Sequence, residues 1–182
     1  MSSLKTNNSY LEAKITLRLN HLPEGNPLYV LDAFCGEGLI WREVIRRSGR
    51  DIRILSIDHD QGTAADIVCD NLKVLSGLNL DKYDVIDLDA YGCPFAQMQI
   101  LFNHKYNGTV FVTYIQTMYG RLPSGILRQA GYTTAMLSKA QTLFSKRPIE
   151  VLESYLANHN ILSYTIKSLD RKHYLCFNVK NL

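Results

Sequence analysis

Four short apolar runs each end in acidic residues: Asp32 after LYVL, Asp58 after IRILSI, Asp70 after DIVC and Asp89 after VIDL. One carboxylate at a strand end means little. Four along one edge of one sheet repel each other unless something uses their charge. The first of them opens the stretch DAFCGEG, where Gly36 and Gly38 flank Glu37. Glycine here lets a ligand lie against the backbone, because no Cβ stands in the way. Glu37 would repel a pyrophosphate, and Trp41 fills the place where a dinucleotide site needs its third glycine. No Gly-Lys-Ser/Thr follows, so a P-loop is excluded as well.

A cationic ligand that carries a ribose fits this set. S-adenosylmethionine has a sulfonium, an ammonium, a ribose diol and an adenine. Gly36 and Gly38 would admit its methionyl part, and Asp32 would help hold the ammonium, directly or through water. Asp58 is placed to accept both ribose hydroxyls, and Asp70 to accept the adenine amine. Asp89 begins the second informative stretch, DAYGCP. An exocyclic base amine is a weak nucleophile because its lone pair is delocalised into the ring. A carboxylate such as Asp89 can accept its N–H, localise the lone pair and take the proton. An aromatic such as Tyr91 can stack on a base turned out of its helix. Placement in line with the sulfonium then does most of the work. Each residue also has a plainer reading: Asp89 as a strand-end cap, Tyr91 as packing, His59 as a solvated histidine, Trp41 as core. Asp87 could be structural or could support the site. Cys93 has no evident general base beside it, so covalent catalysis is not expected.

The elements that position these residues follow from periodicity. Leu11, Ile15 and Leu19 predict a helix over 9–20, ended by Pro23, Gly25 and Pro27. Strands are expected over 28–34, 52–58, a short segment ending at Asp70, a fourth from 83, and 108–115. Helices are expected over 38–49, with Ile40, Val44 and Ile45 inward, and over 94–104, 123–145 and 148–159. Residues 161–169 and 173–181 read as an antiparallel hairpin, with His173-Tyr174 as an edge-strand pair. Alternating strands and helices with apolar early strands predict an α/β fold, a mostly parallel sheet covered on both faces. Its ligands sit at the carboxyl ends of the strands. No repeat or linker divides the chain. We expect an N-terminal helix and entry loop over 1–27 joined to a domain over 28–182, as one domain overall.

LDAFCGEG resembles the first motif of class I S-adenosylmethionine-dependent methyltransferases, commonly DxFxGxG. The resemblance covers roughly residues 28–180. It implies a Rossmann-like sheet of seven strands with a reversed C-terminal hairpin. It also implies cofactor contacts from Asp32, Ala33, Phe34, Gly36 and Gly38, from Asp58 and His59, from Asp70 and Asn71, and from Asp89. In many such enzymes His59's position lies against adenine. IDLDAYGCP is similar to the DPFGSP stretch of tRNA guanine-N2 dimethyltransferases, with Ala90 in place of proline and Cys93 in place of serine. The chain is far shorter than those enzymes. The resemblance implies Asp89 and Tyr91 as catalytic residues, and RNA modification or tRNA processing as the role.

Composition bounds the remainder. The chain has 182 residues, 46% of them hydrophobic and 20% charged, which suits one soluble globular domain. Its polar N-terminus and short apolar runs predict a cytoplasmic protein without membrane contact. The four cysteines form no CxxC pair, so neither a zinc site nor any other metal is expected. Residues 1–120 hold 11 Lys+Arg against 14 Asp+Glu, whereas residues 121–182 hold 9 against 3. That basic third suggests a polyanion contact through Arg121, Arg128, Lys139, Lys146, Arg147, Arg171 and Lys172, with Tyr114, Tyr119 and Tyr132 among or near them. The expected function is methyl transfer to a nitrogen of a nucleic acid base, RNA before DNA. A protein partner or a second copy could complete substrate binding. The alternatives are a small-molecule methyltransferase and a non-catalytic module that binds RNA or protein. The N-terminal helix could be a lid, a partner surface or packing.

Overall fold

The computed structural model describes residues 10–115, 124–139 and 148–180. Seven strands form one sheet: β1 (Leu28–Asp32), β2 (Ile52–Asp58), β3 (Ile67–Val68), β4 (Val85–Leu88), β5 (Gly108–Ile115), β6 (Tyr164–Leu169) and β7 (Lys172–Val179). Their order across the sheet is β3-β2-β1-β4-β5-β7-β6. The first five pair in parallel, and β7 runs antiparallel to both β5 and β6. The expected hairpin is present, but β7 lies inside the sheet and β6 forms its edge. His173-Tyr174 is therefore an interior pair, and both residues are buried. The chain order reverses between β1 and β4, which is where such sheets open a ligand crevice.

Strand alternation sends the apolar side chains to two faces. Leu28, Val30, Ile52, Val85 and Phe111 point to one face, where helices α1 (Leu11–Asn20) and α2 (Leu39–Ser48) cover them with Ile15, Leu17, Trp41 and Val44. Leu31, Ile57, Ile86, Leu88, Val110 and Val112 point to the other. There they pack with α3 (Asn71–Gly77), α4 (Phe95–Asn103) and α7 (Pro148–Asn158). Two short helices, α5 (Ser124–Gln129) and α6 (Thr134–Lys139), occupy part of the expected 123–145 segment.

Two further features differ from the sequence reading. Helix α3 was not anticipated. Asp70 makes it, as its N-cap, by accepting from the Leu72 amide at 2.9 Å. The third strand thus ends at Val68, and Asp70 belongs to the helix start. In α1, the burial runs along Ala13, Ile15, Leu17 and Arg18, while Leu11 and Leu19 are only half-buried. The helix presents a broader face to the sheet than the Leu11-Ile15-Leu19 stripe suggested, and that face includes a charge.

Candidate functional site

Register brings the acidic residues together. Asp32 is paired across the sheet with Asp87 and with Ser56. Asp89, one residue beyond β4, lies beside Thr113 of β5, and Thr113 is opposite Tyr174 of β7. Because residues two apart on a strand share a face, Asp32, Asp87 and Asp89 all project towards α1 and α2.

Arg18 of α1 enters this cluster from above. It is 1% exposed and grips Asp87 bidentately, Nε to Oδ2 and Nη2 to Oδ1, both at 2.6 Å. Trp41 Nε1 donates to the same Asp87 oxygen at 2.7 Å. Burial opposes the guanidinium charge, but Asp87 outweighs it and holds Arg18 protonated. One turn earlier, Lys14 Nζ reaches Asp89 Oδ2 at 2.7 Å, and Thr113 donates its hydroxyl to Asp89 Oδ1. Burial works against the Asp89 charge. Lys14 and Arg18 overcome it and keep this carboxyl below its ordinary range. Asp87 is thus structural, joining α1, α2 and β4. Trp41 is core with a polar handle.

Asp32 is the member left over. It is 5% exposed, and no Lys, Arg or His among the described residues forms an ion pair with it. Among the described residues, its carboxylate takes one hydrogen bond, from the Phe34 amide at 3.3 Å. Burial, and then the Asp87 charge, lift its carboxyl well above the usual carboxylate range, and Arg18 offsets this only in part. Three carboxyl groups face two cations, so ionising Asp32 leaves one negative charge without a counter-charge in the cluster. Asp32, Cys35, Gly38, Trp41, Ile54 and Ser56 line a cavity of about 230 Å³ beside the glycine loop.

The loop itself turns on glycine. Gly36 (φ 52°) and Gly38 (φ 68°) lie in the left-handed region, and nothing stands within 4 Å of where a Gly38 Cβ would be. Asp58 accepts from the Gly36 amide at 2.9 Å and from the Asp60 amide at 3.0 Å, tying the end of β2 to the loop. Asp58 therefore shapes the loop. His59 is 83% exposed beside it. Ala33 is buried, and its carbonyl accepts from Asn71 Nδ2 at 3.1 Å. The Asn71 carbonyl in turn accepts from Gln97 at 2.9 Å. Asn71 is thereby committed to the scaffold, and Asp70 spends one oxygen on its helix cap. Tyr91 is 77% exposed in the turn after β4. The cationic end of S-adenosylmethionine fits this arrangement: a buried carboxylate with no cationic partner among the described residues stands beside a glycine loop whose Gly38 is open to close approach.

Lys14 and Arg18 are the site residues that sequence reading missed. Of the basic residues proposed for polyanion contact, Arg128, Lys139 and Arg171 are exposed and Lys172 is half-buried. Arg121, Lys146, Arg147 and Tyr119 lie outside the described residues. Tyr114 is buried between Phe95 and His173, so it is core and cannot stack on a base, while Tyr132 is half-buried. No cluster of metal-ligating side chains occurs among the described residues, and none of their helices is long and apolar enough to cross a membrane.

Burial together with Asp32 and Asp58 pushes the Cys35 thiol up to about 12, and burial also raises Cys93. Both thiols stay protonated near neutrality. We expect Cys35 to react with iodoacetamide at pH 8 about a hundredfold or more slowly than a free cysteine, read peptide by peptide by mass spectrometry.

No family model matches the chain, and no curated protein sequence matches it. Solved structures do. An inferred S-adenosyl-L-methionine-dependent methyltransferase from Methanococcus maripaludis aligns with 100% of this chain and 98% of its own, at 11% identity and a TM-score of 0.51. A SAM-dependent O-methyltransferase from Thermotoga maritima aligns with 100% of this chain and 68% of its own, at 9% identity and a TM-score of 0.54. The DszA carbon methyltransferase aligns with 100% of this chain and 56% of its own, at 13% identity and a TM-score of 0.55. At such identities the likeness concerns the fold. The seven-stranded sheet with its reversed hairpin is the Rossmann-like fold of class I S-adenosylmethionine-dependent methyltransferases.

Proposed function

We propose that the chain is an S-adenosylmethionine-dependent methyltransferase acting on a nitrogen of a nucleic acid base, RNA before DNA, with a tRNA guanine as the most specific form of that reading. The observation that carries the cofactor reading is the unpaired, buried Asp32 at the glycine loop. An ammonium there supplies the missing positive charge. Gly36 and Gly38 put no Cβ in the way of the methionyl chain, the Asp58 oxygens, each accepting one amide, keep lone pairs for hydroxyl hydrogens, and Asp70 keeps its second oxygen for amine hydrogens. The cofactor supplies an activated methyl group on sulfur. Asp89 orients the acceptor: its Oδ2, bonded to Lys14 in the free protein, accepts an N–H from the incoming amine, while Thr113 fixes the other oxygen. Tyr91, exposed at the mouth of the turn, offers a ring face to a base.

The test is transfer of labelled methyl from S-adenosylmethionine to pooled RNA, to DNA and to small amines in parallel. Label in RNA supports the proposal. Label only in small molecules favours the second enzyme reading, and cofactor binding without any transfer favours an interaction module. Because Tyr91 is exposed, Tyr91→Ala changes stability by less than about 0.5 kcal/mol. It is expected to lower transfer to RNA about tenfold, the loss of one base–aromatic stack. Unchanged transfer by Tyr91→Ala would assign the ring no role in binding.

A further inference from the structure

The Asp89 carboxylate already holds an amine in the free protein, and that amine belongs to the chain. Lys14 Nζ lies 2.7 Å from Asp89 Oδ2, with the two side chains only 13% and 10% exposed. The same ammonium stands 5.8 Å from the centre of the Tyr174 ring, within reach of a cation–π interaction. The Tyr174 hydroxyl is buried and has no hydrogen-bond partner among the described residues. A carboxylate and an aromatic face make a receptor for a protonated alkyl amine. Lys14 is held in it from behind, since Arg18 Nη1 donates to the Lys14 carbonyl at 3.0 Å while its guanidinium is clamped on Asp87. The backbone of α1 cannot withdraw Lys14 without breaking that clamp. Lys172, two residues before Tyr174 on β7, has its ammonium disfavoured by burial and by Lys14, which places a second amine close by.

The position relative to the glycine loop decides what this pair can do. Asp32 and Asp87 are register partners on adjacent strands, and Asp89 is two residues further along. Neighbouring strands are about 4.8 Å apart and two residues advance about 6.6 Å, so the backbones of Asp32 and Asp89 are about 8 Å apart. The unpaired carboxylate and the amine-bearing carboxylate thus address one small volume.

We propose that Lys14 is a methyl acceptor of this chain's own site, so that the protein modifies its own N-terminal helix. This rests on the reading of the site as an S-adenosylmethionine-dependent methyltransferase. Once the Lys14 ammonium has lost a proton to solvent, its lone pair forms the N–CH₃ bond as the S–CH₃ bond breaks, with Asp89 holding the amine in place. The bonding pair stays on sulfur, and S-adenosylhomocysteine leaves. A methylated ammonium keeps its charge and its place over the Tyr174 ring, while losing one hydrogen-bond donor.

The experiment incubates the whole chain with methyl-labelled S-adenosylmethionine and locates label by peptide mass spectrometry, with a calorimetric cofactor titration on the same samples. The expected result is one methylated site at Lys14, at a rate per molecule that does not change over a tenfold dilution. Lys14→Arg abolishes that label while still binding cofactor, and Asp89→Asn abolishes it as well, with folding checked by circular dichroism. Cofactor binding with no label at Lys14 overturns this proposal and leaves the methyltransferase reading standing. A rate that falls with dilution overturns the intramolecular form. Absence of cofactor binding overturns both.

Discussion

Arg18→Met lowers the free energy of unfolding by about 3–5 kcal/mol, the largest effect expected of any single substitution at this site. Asp87 is 1% exposed, and its charge is balanced by the two 2.6 Å bonds from Arg18 and one from Trp41. Without the guanidinium, a buried carboxylate keeps only the indole N–H, beside Asp32 and Asp89. Arg18 also lies 5.3 Å from the Phe111 ring, so its removal costs packing as well as charge. Replacing both charges is far milder than replacing one. Arg18→Met with Asp87→Asn recovers at least half of the loss, because no uncompensated charge remains. Arg18→Lys recovers little, since a lysine cannot reproduce the bidentate fork. Chemical denaturation of the four proteins measures all of this. A single-variant loss under about 1 kcal/mol would mean that α1 does not seat on the sheet in this way.

The second large effect concerns Asp32, where stability and binding move in opposite directions. Burial and Asp87 hold its carboxyl above the ordinary value. A carboxyl whose pKa is raised on folding binds protons more tightly in the folded state. Its contribution is therefore present in acid and is lost as pH rises through the folded pKa. Asp32→Asn accordingly raises the stability of the free protein at neutral pH, and the gain vanishes in acid. The same substitution removes the charge that an ammonium would meet. It weakens S-adenosylmethionine binding by about 10- to 100-fold, the worth of one charge-assisted hydrogen bond. In the unsubstituted chain, binding strengthens as pH rises from the ordinary carboxylate range through the raised Asp32 pKa. In Asp32→Asn that dependence is flat. A variant that is more stable yet binds less well marks a residue kept for function. A variant that is less stable and binds equally well would make Asp32 structural.

The sheet was legible because its strands are short apolar runs with clear stops, and because the hairpin link LDRK is only a few residues long. The glycine loop was legible because it is local: Asp32, Gly36 and Gly38 lie within seven residues, and Gly36 and Gly38 adopt the positive φ that glycine permits. Helix α3 was missed because Asp70 was read as a strand end. The same residue type serves as an N-cap, and only the helical spacing of Leu72, Leu75 and Ser76 after it would have shown the difference. Lys14 and Arg18 were missed for a deeper reason. On a helix surface, two cations four residues apart read as a solvated stripe. Their partners are 75 and 69 residues away, and only the packing of α1 across the carboxyl ends of β1 and β4 makes them internal. A signal was present. Acidic strand ends along one edge imply a compensating cation, and that requirement pointed to a ligand when part of the answer was a helix of the same chain. The compensation stops one charge short, at Asp32.

Calorimetric titration of the purified chain with S-adenosylmethionine, with NAD as a control, tests this account most directly. It predicts one-to-one binding in the micromolar range, or about −8 kcal/mol, no heat with NAD, loss of the signal in Asp58→Ala, and binding weakened about 10- to 100-fold in Asp32→Asn. No binding at millimolar S-adenosylmethionine by a folded chain would contradict it, and the glycine loop with its unpaired carboxylate would then need another ligand.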